Sequence, residues 1–332
     1  MKKTIITLVK LAATAAIMLF IINKLGLRKI ISTIAEAQVK WLLGGVVIFG
    51  LSALLGVAQW RVLLQTKGID LAFGRACKLY FMGMFFNNFV FGFAAGDAVR
   101  VTYIKLGKES GKAGIAATFL DRFAGLWAMM GFAFAGSLFL LNRGLIEGKV
   151  LSTAFLSLFG TFILFCGILS FLISRRLQKI MLNLINRLPI PKKELVLTLV
   201  RQTIIETRHR GHIARVAALS LLIQFMRIGV HVLCGVSLGL LSAANFHYFF
   251  IFVPILAILM IIPLPFGAKE GIGGTLFALA GFQGEAALVM EFLASIVGIL
   301  VSSIGGVLFL ANGFIPQKKD SNDEIINRSS AL

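Results

Sequence analysis

Apolar residues gather in long, nearly unbroken runs, without the short periods that mark half-buried elements of soluble proteins. The runs fall at about 5–23, 41–64, 79–95, 113–141, 150–173, 213–241, 247–265, 271–282 and 286–311. A helix needs roughly 20 apolar residues to cross the hydrocarbon core of a bilayer. The runs at 5–23, 41–64, 113–141, 150–173, 213–241 and 286–311 reach that length and predict six full transmembrane helices. Those at 79–95, 247–265 and 271–282 are shorter, or broken by glycine and proline. They predict the half-helices of two re-entrant hairpins. The pattern describes an all-α integral membrane protein with no water-soluble domain large enough to fold alone.

Composition agrees. Only 14% of the 332 residues are charged and 58% are hydrophobic, against roughly 25% charged in soluble domains. The net charge is +19, from 33 Lys and Arg against 14 Asp and Glu. Such a balance would suggest nucleic acid in a soluble chain, but no basic stripe carries the interleaved aromatics of a nucleic-acid reader. The basic residues sit in loops, where they set topology and meet anionic headgroups. If the two hairpins dip in from opposite sides, 24 basic residues share one compartment and six face the other. The positive-inside rule then places both termini in the cytoplasm, in a multi-pass protein of the cytoplasmic (inner) membrane. Arg122, Arg227 and Lys269 remain at membrane depth.

The first run follows Lys2 and Lys3, but its small residues, Ala12–Ala16, precede its end, which predicts an uncleaved span in place of a signal peptide. Segment 175–211 mixes arginine and lysine with leucine and isoleucine and is divided by Pro189 and Pro191. It predicts two amphipathic helices lying along the cytoplasmic interface. Residues 1–316 form one polytopic domain, followed by a polar, disordered tail at 317–332. Cys77, Cys166 and Cys234 lie in apolar runs without metal or redox spacing and read as small hydrophobes. His209 and His212 sit in a basic segment with no third ligand. No metal site and no cofactor is expected.

Charge at membrane depth costs several kcal/mol unless paired or wet, so polar residues in these runs are functional candidates. The first group is NNFVFGFAAGDAVR, which holds Asn87, Asn88, Asp97 and Arg100. Asp97 opens a helix either as an N-cap or as part of a half-helix terminus that receives an anionic group. The second is Asp121–Arg122, adjacent on one span and therefore aimed at different partners; Asp121 with Arg100 and Arg122 with Asp97 are plausible pairs. The third is PLPFGAKEGIGG, where Glu270 suits the first turn of a helix and Lys269 asks for an anion. The fourth is Gln224, Arg227 and His231, spaced to share one helical face. Glu291 is expected near the outer interface. Gly92–Gly96 with Asp97, and Gly267–Gly271 with Glu270, each place paired glycines and an acid at a hairpin apex, as an inverted repeat would.

Three of these blocks carry a family resemblance. GFAAGDAVR, LDRFAGLWAMM and PLPFGAKEG resemble, in order, the acid–Arg and Pro/Gly-rich blocks of the flippase-like membrane domains. Those domains are also named for the transmembrane part of lysylphosphatidylglycerol synthase. The resemblance covers about 5–312 and implies a helical bundle with re-entrant hairpins that moves a lipid across the cytoplasmic membrane. It implies functional roles for Asp97, Arg100, Asp121, Arg122, Lys269 and Glu270. Lys269 stands where the family usually has arginine, which exchanges a bidentate fork for a point charge. No aminoacyl-transferase domain follows, so lipid synthesis is not implied.

The expected function is therefore a flippase or transporter of a phospholipid, an aminoacyl-phospholipid or a polyprenyl-phosphate-linked sugar, and not an enzyme. Asp97 and Asp121 could be read as an aspartyl protease pair, but that chemistry needs carboxylates sharing a proton, and arginine beside each favours full ionisation. The third class is a non-catalytic membrane subunit supporting a glycosyltransferase or lipid-modifying enzyme. Membrane lipids with anionic headgroups, such an enzyme, or a second copy of the chain are the partners expected; nucleic acid is not.

Overall fold

The computed structural model describes residues 27–89, 95–107, 109–143, 149–187, 193–204, 210–243, 245–259 and 267–312. Among them every regular element is helical, and no strand occurs. In chain order these are α1 (Leu27–Glu36), α2 (Val39–Gln65), α3 (Phe73–Phe89), α4 (Ala95–Leu106), α5 (Gly111–Asn142), α6 (Lys149–Ile173), α7 (Arg175–Arg187), α8 (Lys193–Thr203), α9 (Arg210–Ser237), α10 (Phe249–Leu259), α11 (Ala268–Leu279) and α12 (Gly284–Asn312).

Four of these, α2, α5, α9 and α12, are long and apolar enough to cross a membrane. α6 and α7 together make a fifth candidate bent by 84°. The chain is thus an all-α, multi-pass membrane protein, but the count differs from the six spans and two hairpins that run length predicted. The run at 5–23 lies outside the described residues. The run at 150–173 meets its basic continuation, Arg175-Arg176, at the bend. The remaining apolar helices are too short: α3 has 17 residues, α4 and α11 have 12, and α10 has 11 with Pro254 inside. The expected division of 175–211 into two helices is seen as α7 and α8, with Pro189 and Pro191 outside the described residues. The tail at 317–332 and the first hairpin's apex, 90–94, lie outside them as well.

The long helices pack as a bundle, with α2 against α9 and α5 against α9, α6 and α10. One core gathers around Trp60, Leu64, Tyr80 and Ile104, and another around Phe249, Phe277 and Met290. In the second, Phe277 meets Phe249 and Phe282 at ring distances of 4.8 and 5.1 Å. Among the cysteines, Cys234 is buried and Cys77 and Cys166 are half-buried; all three are free thiols.

Both short-helix pairs rest on α12. α3 and α4 lie antiparallel, close enough that a Cβ on Gly96 would stand 1.8 Å from the Gly83 carbonyl oxygen. α3 in turn lies against Gly305 and Gly306 of α12, and α11 folds back on the first half of α12 through Gly273 and Gly274. Glycine permits these approaches because nothing projects between the backbones. α12 has 29 residues, about 44 Å at the helical rise. It therefore serves as a depth gauge for both pairs.

Candidate functional site

The first cluster forms where the start of α4 meets the middle of α5. Neighbours on a helix point about 100° apart, so Asp121 and Arg122 reach different partners. Arg122 grips Asp97 with two bonds, Nε to Oδ2 at 3.0 Å and Nη2 to Oδ1 at 2.9 Å. Arg100 bridges both acids, with Nη2 to Asp97 Oδ1 at 2.5 Å and Nη1 to Asp121 Oδ2 at 3.3 Å. The two pairs offered by the sequence both form, and Arg100 joins them into one network.

Helices α2 and α9 complete it. Gln59 donates to Asp121 Oδ1 at 2.9 Å and accepts from the Ser220 hydroxyl at 2.7 Å. The Arg100 guanidinium, 3% exposed, lies 5.1 Å from the Trp60 ring and 5.0 Å from the Tyr80 ring. These aromatic faces shield and attract a desolvated cation. Trp60 is fixed by its indole N–H, which donates to Thr118 at 3.2 Å. Two carboxylates and two guanidiniums leave the cluster neutral. Asn87 and Asn88 act beside it: Asn87 accepts from the Gly96 amide at 2.8 Å, and Asn88 donates to Ser302 of α12 at 2.8 Å.

The second cluster opens α11. Gly267 takes the left-handed conformation (φ 92°) as N-cap, and its amide donates to Glu270 at 2.8 Å. Lys269 donates to the Ser295 hydroxyl at 2.8 Å, which donates on to the other Glu270 oxygen at 2.5 Å. The Lys269 ammonium itself lies 3.5 Å from Glu270. The cation that asked for an anion thus has one in its own helical turn, through a serine that sequence reasoning did not single out. Pro263 and Pro265, just before it, lie outside the described residues.

The α9 stripe behaves differently. His231 Nδ1 lies 2.9 Å from Glu291 Oε1, Gln224 approaches the backbone of Gly125, and the Arg227 guanidinium lies 6.0 Å from the Phe49 ring. Gln224 Oε1, Arg227 Nε and Glu291 Oε2 are all buried without a hydrogen-bond partner. Glu291 is 0% exposed. It sits two turns inside α12, facing α9. Tyr80 lies within electrostatic reach of Arg100, Asp121, Arg122 and Arg227, so the stripe and the first cluster border one interior.

Gln59, Trp60, Tyr80, Ser220, Glu291, Ser295 and Ser302 belong to these networks and were not singled out as site residues. One signal was available. Glu291, Ser295 and Ser302 are spaced by four and seven residues, which places them on one face of α12. That face meets His231, Lys269 and Asn88 in turn. On the α12 gauge Ser295 lies about 17 Å from one end and Ser302 about 15 Å from the other. Both short-helix pairs thus touch its middle third.

Beside the first cluster an apolar crevice opens between α2, α5, α6 and α9, lined by Leu63, Leu120, Phe123, Leu169, Val216 and His212 among others. Among the described residues no group of three or more His, Cys, Asp or Glu side chains could hold a metal ion.

The profile described as the lysylphosphatidylglycerol synthase TM region matches residues 7–306. A UPF0104 membrane protein of Pyrococcus horikoshii is 26% identical over 87 residues, 26% of this chain and 26% of that protein. The aligned part thus spans about a quarter of that relative's length. No solved structure matches. With the profile covering nearly the whole chain, including every cluster described above, the protein belongs to the lysylphosphatidylglycerol synthase transmembrane-region family.

Proposed function

We propose that the chain moves an anionic or phosphate-linked lipid across the cytoplasmic membrane, receiving the headgroup at the face of α9. One observation carries this reading: Arg227, well inside the candidate span α9, has a buried Nε lacking a partner. Asp97, Arg100, Asp121 and Arg122 neutralise one another, and Lys269 has Glu270. Among the described residues no carboxylate pairs with Arg227. A cation at that depth needs an anion or a wet cavity, and a lipid phosphate supplies the anion in the bidentate geometry that arginine favours. The apolar crevice next to the cluster offers space for an acyl or prenyl chain while the headgroup is held. In this reading the α3–α4 and α10–α11 pairs are re-entrant hairpins entering from opposite sides, and both termini are cytoplasmic.

The reading is of a transporter and not an enzyme. Asp97 and Asp121 are each held by arginine and do not face one another across a shared proton, as a carboxylate dyad must. The test is movement of a fluorescent anionic phospholipid between leaflets of proteoliposomes, against a zwitterionic analogue. Arg227→Gln should lose about 1.5–3 kcal/mol of headgroup binding, roughly tenfold to a hundredfold in apparent affinity. Arg227→Lys should recover part of it. Wild-type protein that is well folded but moves no lipid would overturn transport and leave support of a partner enzyme as the role. Arg227→Gln that moves lipid like wild type would overturn the headgroup site.

A further inference from the structure

We propose that His231 and Glu291 form an intramembrane proton-binding site that couples proton uptake to binding of the anionic lipid; this rests on the transport reading above. The geometry is that of a proton-sharing pair, with Nδ1 and Oε1 2.9 Å apart between α9 and α12. Glu291 is fully buried and its second oxygen has no partner. An ionised carboxylate can accept about four hydrogen bonds, and burying one with half its oxygens bare is costly. A proton held in the pair removes that cost: it is neutral overall with one proton, whether the imidazole or the carboxyl carries it. The His231 side chain keeps 16% of its surface open, which leaves a side from which a proton can arrive.

Arg227, one turn earlier on α9, makes the site responsive. With Arg227 bare, the guanidinium and the pair sum to zero charge only when the pair carries no proton. With an anionic headgroup on Arg227, the same sum is zero only when the pair holds one, and a buried interior favours the neutral sum. The linkage is reciprocal, so proton and anion each favour the other's binding. One negative headgroup and one proton then cross together without net charge. The elements packed against the pair carry these other groups. α9 also contributes Cys234, within reach of the Glu291 charge, and α11 contributes Lys269 and Glu270, tied to Ser295 one turn along α12. α3 brings Tyr80 and Asn88, α5 the paired Asp121 and Arg122, and α1 Glu36, while α2 presents Phe49 between its distant Lys40 and Arg61. α10 has no titratable residue.

Two experiments on the full chain test this. Infrared difference spectra of purified protein between about pH 5 and pH 8 should show a carboxylic-acid band that disappears in Glu291→Gln and shifts in His231→Gln. In proteoliposomes carrying a gradient of one pH unit, a fluorescent anionic phospholipid should accumulate toward the alkaline leaflet, up to about tenfold at one proton per lipid. The steady-state ratio is independent of rate, and in both variants it should fall to the value without a gradient. His231→Gln keeps a hydrogen-bonding side chain at the pair, so it reports even if Glu291→Gln folds poorly. Wild-type lipid movement that ignores the gradient, or variants that respond to it like wild type, would overturn the coupling and leave transport standing. A wild type that moves no lipid removes transport and coupling together. Absence of a titrating carboxyl band removes the proton site whatever the lipid does.

Discussion

Arg122 and Asp97, 25 positions apart in the chain, meet through two parallel hydrogen bonds of 3.0 and 2.9 Å. The contact binds the start of α4 to the middle of α5, and Arg100 shares the same carboxylate at 2.5 Å. Asp97 is therefore the hub of the cluster, since one acid serves two guanidiniums.

Loss of the hub should cost more than loss of a spoke. Asp97→Asn removes the carboxylate shared by two cations and should lower stability by about 3 kcal/mol. Arg122→Gln leaves Asp97 held by Arg100 and should cost less than half as much. The double variant should fall short of the sum, because both changes act on one pair. Thermal unfolding of detergent-purified protein would rank the three; equal losses for the single variants would contradict the hub.

Close approach of α3 and α4 makes Gly96 sensitive. A Cβ there would lie 1.8 Å from the Gly83 carbonyl oxygen. Gly96→Ala should therefore separate the helices and cost about 3 kcal/mol. Gly50→Ala is the control: apart from its own helical turn, nothing lies within 4 Å of where a Cβ would stand, and alanine gains up to about 1 kcal/mol in a helix interior. Unfolding temperatures should move in opposite directions.

Lys269 depends on Ser295 for its position. Lys269→Gln should lower stability, because it leaves the buried Glu270 carboxylate without its cation, whereas Lys269→Arg should keep most of it. Ser295→Ala removes the hydroxyl between Lys269 and Glu270 and should cost about 1–3 kcal/mol of stability through the polar groups it leaves bare. A Lys269→Gln protein as stable as wild type would contradict the pairing with Glu270.

Topology can be read with reporters. Fusions after residue 316 and within 175–211 should both report a cytoplasmic location, following the side that gathers 24 basic residues. Cysteines introduced at Ala95 and Ala268 should react with small hydrophilic thiol reagents, because both helix starts border the polar interior. Full protection of both would mean a packed core at the two helix starts.

Membrane residence was legible in the sequence because it depends on local quantities: the length of an apolar run and the absence of charge within it. The runs around 41–64, 113–141, 213–241 and 286–311 became α2, α5, α9 and α12 with boundaries shifted by only a few residues. The helix starts near Asp97 and Lys269 drew on equally local signals, the glycines at 92 and 96 and the Pro263, Pro265 and Gly267 cluster, which weaken a helix. Arg100, Asp121, Arg122 and Asp97 drew attention for the same reason, as charge in an apolar setting.

Which of these charges is satisfied was decided only by the tertiary structure. Lys269 looked like the open cation, yet the helix start brings Glu270 and Ser295 to it. Arg227 looked like one member of a polar stripe, yet its Nε is left bare. Glu291 stood in the sequence as a lone acid in an apolar run, and the packing of α12 against α9 buries it on His231, 60 residues away in the chain. Pairing between helices depends on rotation and depth of segments far apart in sequence. A single helix fixes which side chains share a face, but only the neighbour packed against that face determines what they meet.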